Sequence, residues 1–132
     1  LYSKLASSNA AKITVFLDAC FSGGGRDQGL LAARGVKIKP KEEAFSGNMV
    51  VFASSSGEER SLPYEEKQHG FFTYFLLKKL QETKGNASYG ELSEYIKKEV
   101  AKSSLLKKSL QQTPNTNISP SVQGSWESWS FR

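Results

Sequence analysis

Cysteine and histidine are almost absent: the 132-residue chain has one of each, Cys20 and His69. One cysteine excludes an internal disulfide framework and a cysteine-built zinc cage. Reactivity or burial is left to explain it, and redox compartment stays undecided. No apolar run approaches the roughly 20 residues needed to span a bilayer, so the chain reads as soluble with no membrane partner. No cluster of three or more acidic ligands marks a calcium site, and neither a metal nor a cofactor is expected. The chain opens not on Met but on Leu1-Tyr-Ser-Lys-Leu-Ala6, which reads as the last turns of a helix. A fragment or processed product is therefore expected, with any targeting signal upstream; localisation stays open, the cytoplasm being favoured over export.

Basic–aromatic interleaving is missing as well. The net charge of +5 comes from lysines at 37–41, 78/79, 97/98 and 107/108, beside carboxylates or on polar helix faces. They read as solvated surface, and no nucleic-acid partner is expected. Internal repeats and low-complexity tracts are also lacking.

What is present is an ordinary globular composition, 38% apolar and 23% charged, at a length that suits one domain with one real core. Ile13-Thr-Val-Phe-Leu17 and Met49-Val-Val-Phe-Ala53 are continuous β-branched and aromatic runs, as in strands buried on both faces, which points to an α/β sheet. Between them Gly23-Gly-Gly25 opens a polar stretch to Gly47, too long for a plain connection. Phe71 to Leu80 predicts a core helix ending near Gly85. Ser88 with Glu91 three residues on makes a capping box, and Leu92, Tyr95, Ile96 and Val100 carry that second helix to about Lys102. Gln112-Thr-Pro114 ends the following segment, and Ser125 to Phe131 alternates aromatic with polar residues, which predicts a half-buried edge strand.

Cys20 sits where the first apolar strand meets the Gly-rich turn, in Asp18-Ala-Cys-Phe-Ser-Gly-Gly-Gly25. A thiol there has a rigid base, an exposed sulfur and backbone N–H groups nearby, whereas Asp18 and Ser22 are poor company for a cysteine buried as a small hydrophobe. With an unperturbed pKa of about 8.5 it needs a partner to become thiolate. A Cys–His peptidase supplies an imidazole for that proton and backbone amides for the oxyanion. A cysteine phosphatase is the other class, since Cys20 to Arg26 satisfies C-x5-R, although the segment then runs into a polar loop and not into a helix N-terminus.

Asp18-Ala-Cys-Phe-Ser-Gly23 after an apolar strand resembles the nucleophile motif of caspase-fold cysteine peptidases, in particular the metacaspase-like bacterial branch. Val50-Val-Phe-Ala-Ser-Ser-Ser56 is similar to the family's next sheet strand, His69-Gly-Phe-Phe-Thr73 to its H-G-x-F-T helix opening, and Gln112-Thr-Pro114 to its Q-T-P near the domain end. The matches follow the family's order over nearly the whole chain. The resemblance implies a partial three-layer α/β/α sandwich, a mostly parallel sheet flanked by helices, within a single domain fragment over 1–132. It implies Cys20 as nucleophile, with its own backbone N–H in the oxyanion site. Asp18, two positions before the nucleophile, becomes the floor of the S1 pocket, where a carboxylate pairs with a basic P1 side chain and repels an acidic one. Ser54 and Ser55 line the same pocket, and the expected partner is a polypeptide cut after Arg or Lys.

The sequence departs from the family at the base. The catalytic histidine of caspases lies roughly 50 residues before the cysteine. Only 19 residues precede Cys20 and none is histidine; His69 could be drafted as the base, but the resemblance aligns it with the helix opening, outside the dyad, where a helix-capping or packing role is expected. The expected partner half is a missing N-terminal segment of the same domain. The stretch 26–47 lies where caspase-type zymogens carry a processing linker, and Arg34, Lys37, Lys39 and Lys41 are candidate cleavage points there. A caspase-like interaction module without catalysis is the remaining alternative.

Overall fold

A computed structural model describes residues 2–18, 47–56, 59 and 61–131. Cys20 and Arg26, the linker positions Arg34, Lys37, Lys39 and Lys41, and the calls on 26–46 lie outside the described residues.

Strand β1 (Ile13–Leu17) runs parallel to β2 (Met49–Ala53) in the register Ile13↔Met49 to Leu17↔Ala53. On its other side β2 pairs antiparallel with a further strand, Asn115–Ile118, through Val50↔Ile118 to Ala53↔Asn115. All five residues of β2 are buried, as its unbroken apolar sequence requires of a central strand covered on both faces.

Alternation along the strands divides the core in two. Met49 and Val51 face Leu5, Ala6, Ile13, Val15 and Leu17, so helix α1 (Tyr2–Ala6) covers that side. Val50 and Phe52 face the larger cluster, which holds Phe71, Phe72, Phe75 and Leu76 of α2 (Phe71–Thr83) together with Leu92, Ile96 and Val100 of α3 (Tyr89–Lys108). Helices thus lie on both faces of a mixed sheet, the three-layer α/β/α arrangement that the sequence implies.

The helices follow from local chemistry. α2 buries Phe71, Phe72, Phe75 and Leu76 on one stripe and ends with Lys84 at φ 53, whose N–H bonds Gln81 O, followed by Gly85 bonding Leu80 O. At the start of α3, Ser88 Oγ accepts from the Glu91 N–H at 3.2 Å, the expected cap. α3 runs on past Lys102 to Lys108, a full turn and more beyond the expected end. No Gly or Pro interrupts 101–108, Ser104 faces inward, and Lys107 and Lys108 oppose the helix dipole in the last turn.

A short hairpin precedes α2: β3 (Pro63–Tyr64) pairs with β4 (His69–Gly70). The edge strand expected over 125–131 is a correction. Trp126–Ser128 forms a 3-10 turn, and one bridge, Ser88↔Ser130, is the only ladder pairing described there. Ser128 Oγ donates to Ser125 O at 2.8 Å, so the serines satisfy the backbone locally and compete with a ladder. The segment still contributes aromatic packing: Trp129 is buried, and the Tyr89 ring packs edge-on to Trp129 and stacks on the exposed Phe131. The last sheet strand is instead Asn115–Ile118, now β5.

Candidate active site

The carboxyl ends of β1 and β2 are level, the side of an open α/β sheet where ligands bind. The register holds one residue further, since Ser54 N donates to Leu17 O at 2.9 Å. Asp18 and Ser54 are therefore neighbours just beyond the sheet, and Cys20 follows two residues after Asp18 in the sequence.

Asp18 is exposed, but its carboxylate is engaged. Thr73 in the first turn of α2 donates its hydroxyl proton to Asp18 Oδ2. Gly70, the residue capping that helix, lies against the same carboxylate: a Cβ placed on it would stand 2.8 Å from Oδ2. Ser54 and Ser55 are buried at 0% and 7% exposure. The Ser54 hydroxyl shares a hydrogen bond with Ser61 Oγ.

The stretch after β2 is fixed by Gln112-Thr-Pro-Asn115. The fully buried Gln112 donates from Nε2 to Ser54 O at 2.8 Å, and its Oε1 accepts from Leu62 N at 2.8 Å. Asn115 Nδ2 donates to Ser55 O at 3.0 Å and to Ser56 Oγ at 2.9 Å. Ser56 Oγ donates to Thr113 O, and Thr113 N to Glu59 Oε2 at 2.7 Å. Three segments far apart in sequence, at 18, 54–56 and 70–73, are so brought to one edge, with 112–115 as the clamp.

His69 is exposed, and its backbone pairs with Tyr64. No side chain caps α2 at its Gly70 N-cap, and His69 lines an open groove with Lys67, Tyr74 and Leu77 on the outer side of the helix. The packing or capping role open to it in the sequence is not what its side chain does. Among the described residues no group of three or more His, Cys, Asp or Glu could hold a metal ion. No helix there is long and apolar enough to cross a membrane.

The sequence marks H-G-x-F-T and Q-T-P as motifs but gives their side chains no task. The structure gives both one: Thr73 of the first holds Asp18, and Gln112 of the second holds the end of β2. Their signal was a polar residue at a fixed place beside a strongly apolar helix or before a turn, which local spacing alone does not interpret.

A family model for the caspase domain matches residues 1–122. The chain belongs to the caspase-domain family. A comparison with curated proteins gives no match. Membership assigns this caspase domain the chemistry of a cysteine peptidase and selects that class over the phosphatase that C-x5-R alone allowed.

Proposed function

We propose that this caspase domain is a cysteine endopeptidase cutting after Arg or Lys, with Cys20 as nucleophile and a histidine from an upstream segment of the same domain as base. The observation that carries the reading is the placement of Asp18: an exposed carboxylate at the carboxyl end of β1, beside Ser54. A substrate guanidinium or ammonium pairs with that carboxylate in the S1 pocket, while a P1 aspartate meets like charge. Ser54 and Ser55, both buried, support the neighbouring strand end and do not offer their hydroxyls to the substrate.

Anchoring P1 there carries the next peptide bond towards Cys20. The imidazole takes the thiol proton, the thiolate attacks the carbonyl carbon, and the Cys20 N–H stabilises the oxyanion. Collapse of the tetrahedral intermediate breaks the C–N bond as imidazolium protonates the leaving amine, leaving a thioester. Water, deprotonated by the same imidazole, then attacks that thioester and frees the acid and the thiol.

The test uses the complete protein and fluorogenic peptides with Arg, Lys or Asp at P1. Arg and Lys peptides are expected to be cleaved and the Asp peptide spared. Cys20→Ala should remove all turnover, and Asp18→Ala should lower kcat/KM for the basic peptides by about 10²-fold or more, the scale of a lost charge-paired anchor. Residues 1–132 alone are expected to read background, because they lack the base. Equal turnover of the Asp peptide would overturn the pocket assignment, and activity surviving Cys20→Ala would overturn the nucleophile.

A further inference from the structure

A carboxylate can serve a pocket in two ways. Free to rotate, it is a point charge that serves ammonium and guanidinium alike; held in one plane, it matches the two-pronged fork of a guanidinium. The surroundings of Asp18 belong to the second case. Thr73 Oγ1 donates to Oδ2, which fixes one oxygen. Gly70 lies against the same carboxylate, where an added Cβ would lie 2.8 Å from Oδ2 and 3.5 Å from Oδ1 and Cγ. The backbone of Gly70, at φ −70 and ψ 156, is one that any L residue adopts. Glycine there supplies space for the carboxylate, not conformational freedom. Both residues stand on a rigid base, since Phe71 and Phe72 between them are buried at 0% and 1% exposure in the core.

We infer that Thr73 and Gly70 are positioning residues that set the plane of the Asp18 carboxylate and so make the S1 pocket prefer Arg over Lys. The inference rests on the reading of Asp18 as the S1 floor. With Oδ2 held by the hydroxyl, Oδ1 and the remaining lone pair of Oδ2 form the edge that a guanidinium bridges with two parallel N–H bonds. A lysine ammonium uses only one point of that edge and gains nothing from its orientation.

The experiment measures binding, so that it does not depend on turnover. In the complete protein carrying Cys20→Ala, fluorescence anisotropy gives Kd for one labelled peptide made with Arg, Lys or citrulline at P1. The parent should bind Arg tightest, Lys next and the neutral citrulline weakest. Thr73→Val, which keeps the shape and removes the hydroxyl, should cut the Arg-to-Lys preference by about fivefold, the net worth of one ordinary hydrogen bond. Lys should stay preferred over citrulline. Gly70→Ala, which crowds the carboxylate with a backbone it tolerates, should do the same, and Thr73→Ser should restore the preference. An unchanged Arg-to-Lys ratio in Thr73→Val and Gly70→Ala, or no Arg preference in the parent, overturns the positioning role while leaving Asp18 as the S1 floor. If Asp18→Ala leaves the basic peptides preferred over citrulline, or the parent binds none of the three, the S1 reading falls and this inference with it.

Discussion

Gln112 has no exposed surface, and its amide spans two segments that also meet through the Ser54–Ser61 hydroxyl contact. It donates to Ser54 O and accepts from Leu62 N, while its own N–H reaches Ser104 Oγ at 3.1 Å. A buried polar side chain is tolerated only when its partners are supplied, and here removal of one residue strands a carbonyl and an N–H together. Gln112→Ala is expected to destabilise the fold by about 2–4 kcal/mol, from two unpaired groups and a small cavity. Gln112→Leu, which keeps most of the volume, should lose nearly as much. Urea denaturation of both variants checks this: recovery of stability in Gln112→Leu would show that volume, not hydrogen bonding, is what the site needs.

Among the elements, α3 shows most directly how burial and not helical propensity decides what a residue contributes. Leu92 has no exposed surface and faces the large core, while Leu105, on the same helix, is 59% exposed. Leu92→Ala should destabilise by about 2–5 kcal/mol, whereas Leu105→Ala should stay within about 0.5 kcal/mol. Paired thermal melts decide it, and equal losses would mean that the stripe assignment is wrong. The same logic explains which elements could be read beforehand. β1, β2, α2 and the start of α3 carry long apolar runs or a capping serine, so spacing alone locates them. β5 is Asn-Thr-Asn-Ile, with Thr116 bonded to Ser93 and Asn117 to Asn115, and such a polar strand has no period to detect. The stretch 125–131 has the period but not the strand, because Trp129 and Phe131 reach the Tyr89 ring from a turn. At the site, Asp18 was marked by its motif. Thr73 and Gln112 were not assignable, since their partners lie 55 and 58 residues away and only the folded sheet brings them together.

For the molecule as a whole, pH enters at the alkaline end. Burial pushes the Tyr95 hydroxyl above the ordinary 10.0, and the charges of Glu82 and Glu99, with Tyr74, push the same way. The folded protein then keeps a proton that the unfolded chain releases, so the contribution is whole below the unfolded value and is lost as pH rises through the folded one. Stability should fall as pH climbs past about 10, and less steeply in Tyr95→Phe, which has no proton there to lose. Urea midpoints measured from about pH 9 to about pH 11 test it; parallel curves for the two proteins would remove Tyr95 as a source of the decline.

The sheet order β1-β2-β5 also sets a schedule. A ribosome delivers the chain from its N-terminus, and β2 remains without one neighbour until residues 115–118 emerge. The clamp on Ser54 and Ser55 arrives in the same stretch, with Gln112 and Asn115. Asp18 is thus made before the residues that complete its surroundings. The strand end beside it stays unclamped until 112–118 have joined the sheet, so the last stretch of the sheet to emerge is the one that finishes this edge.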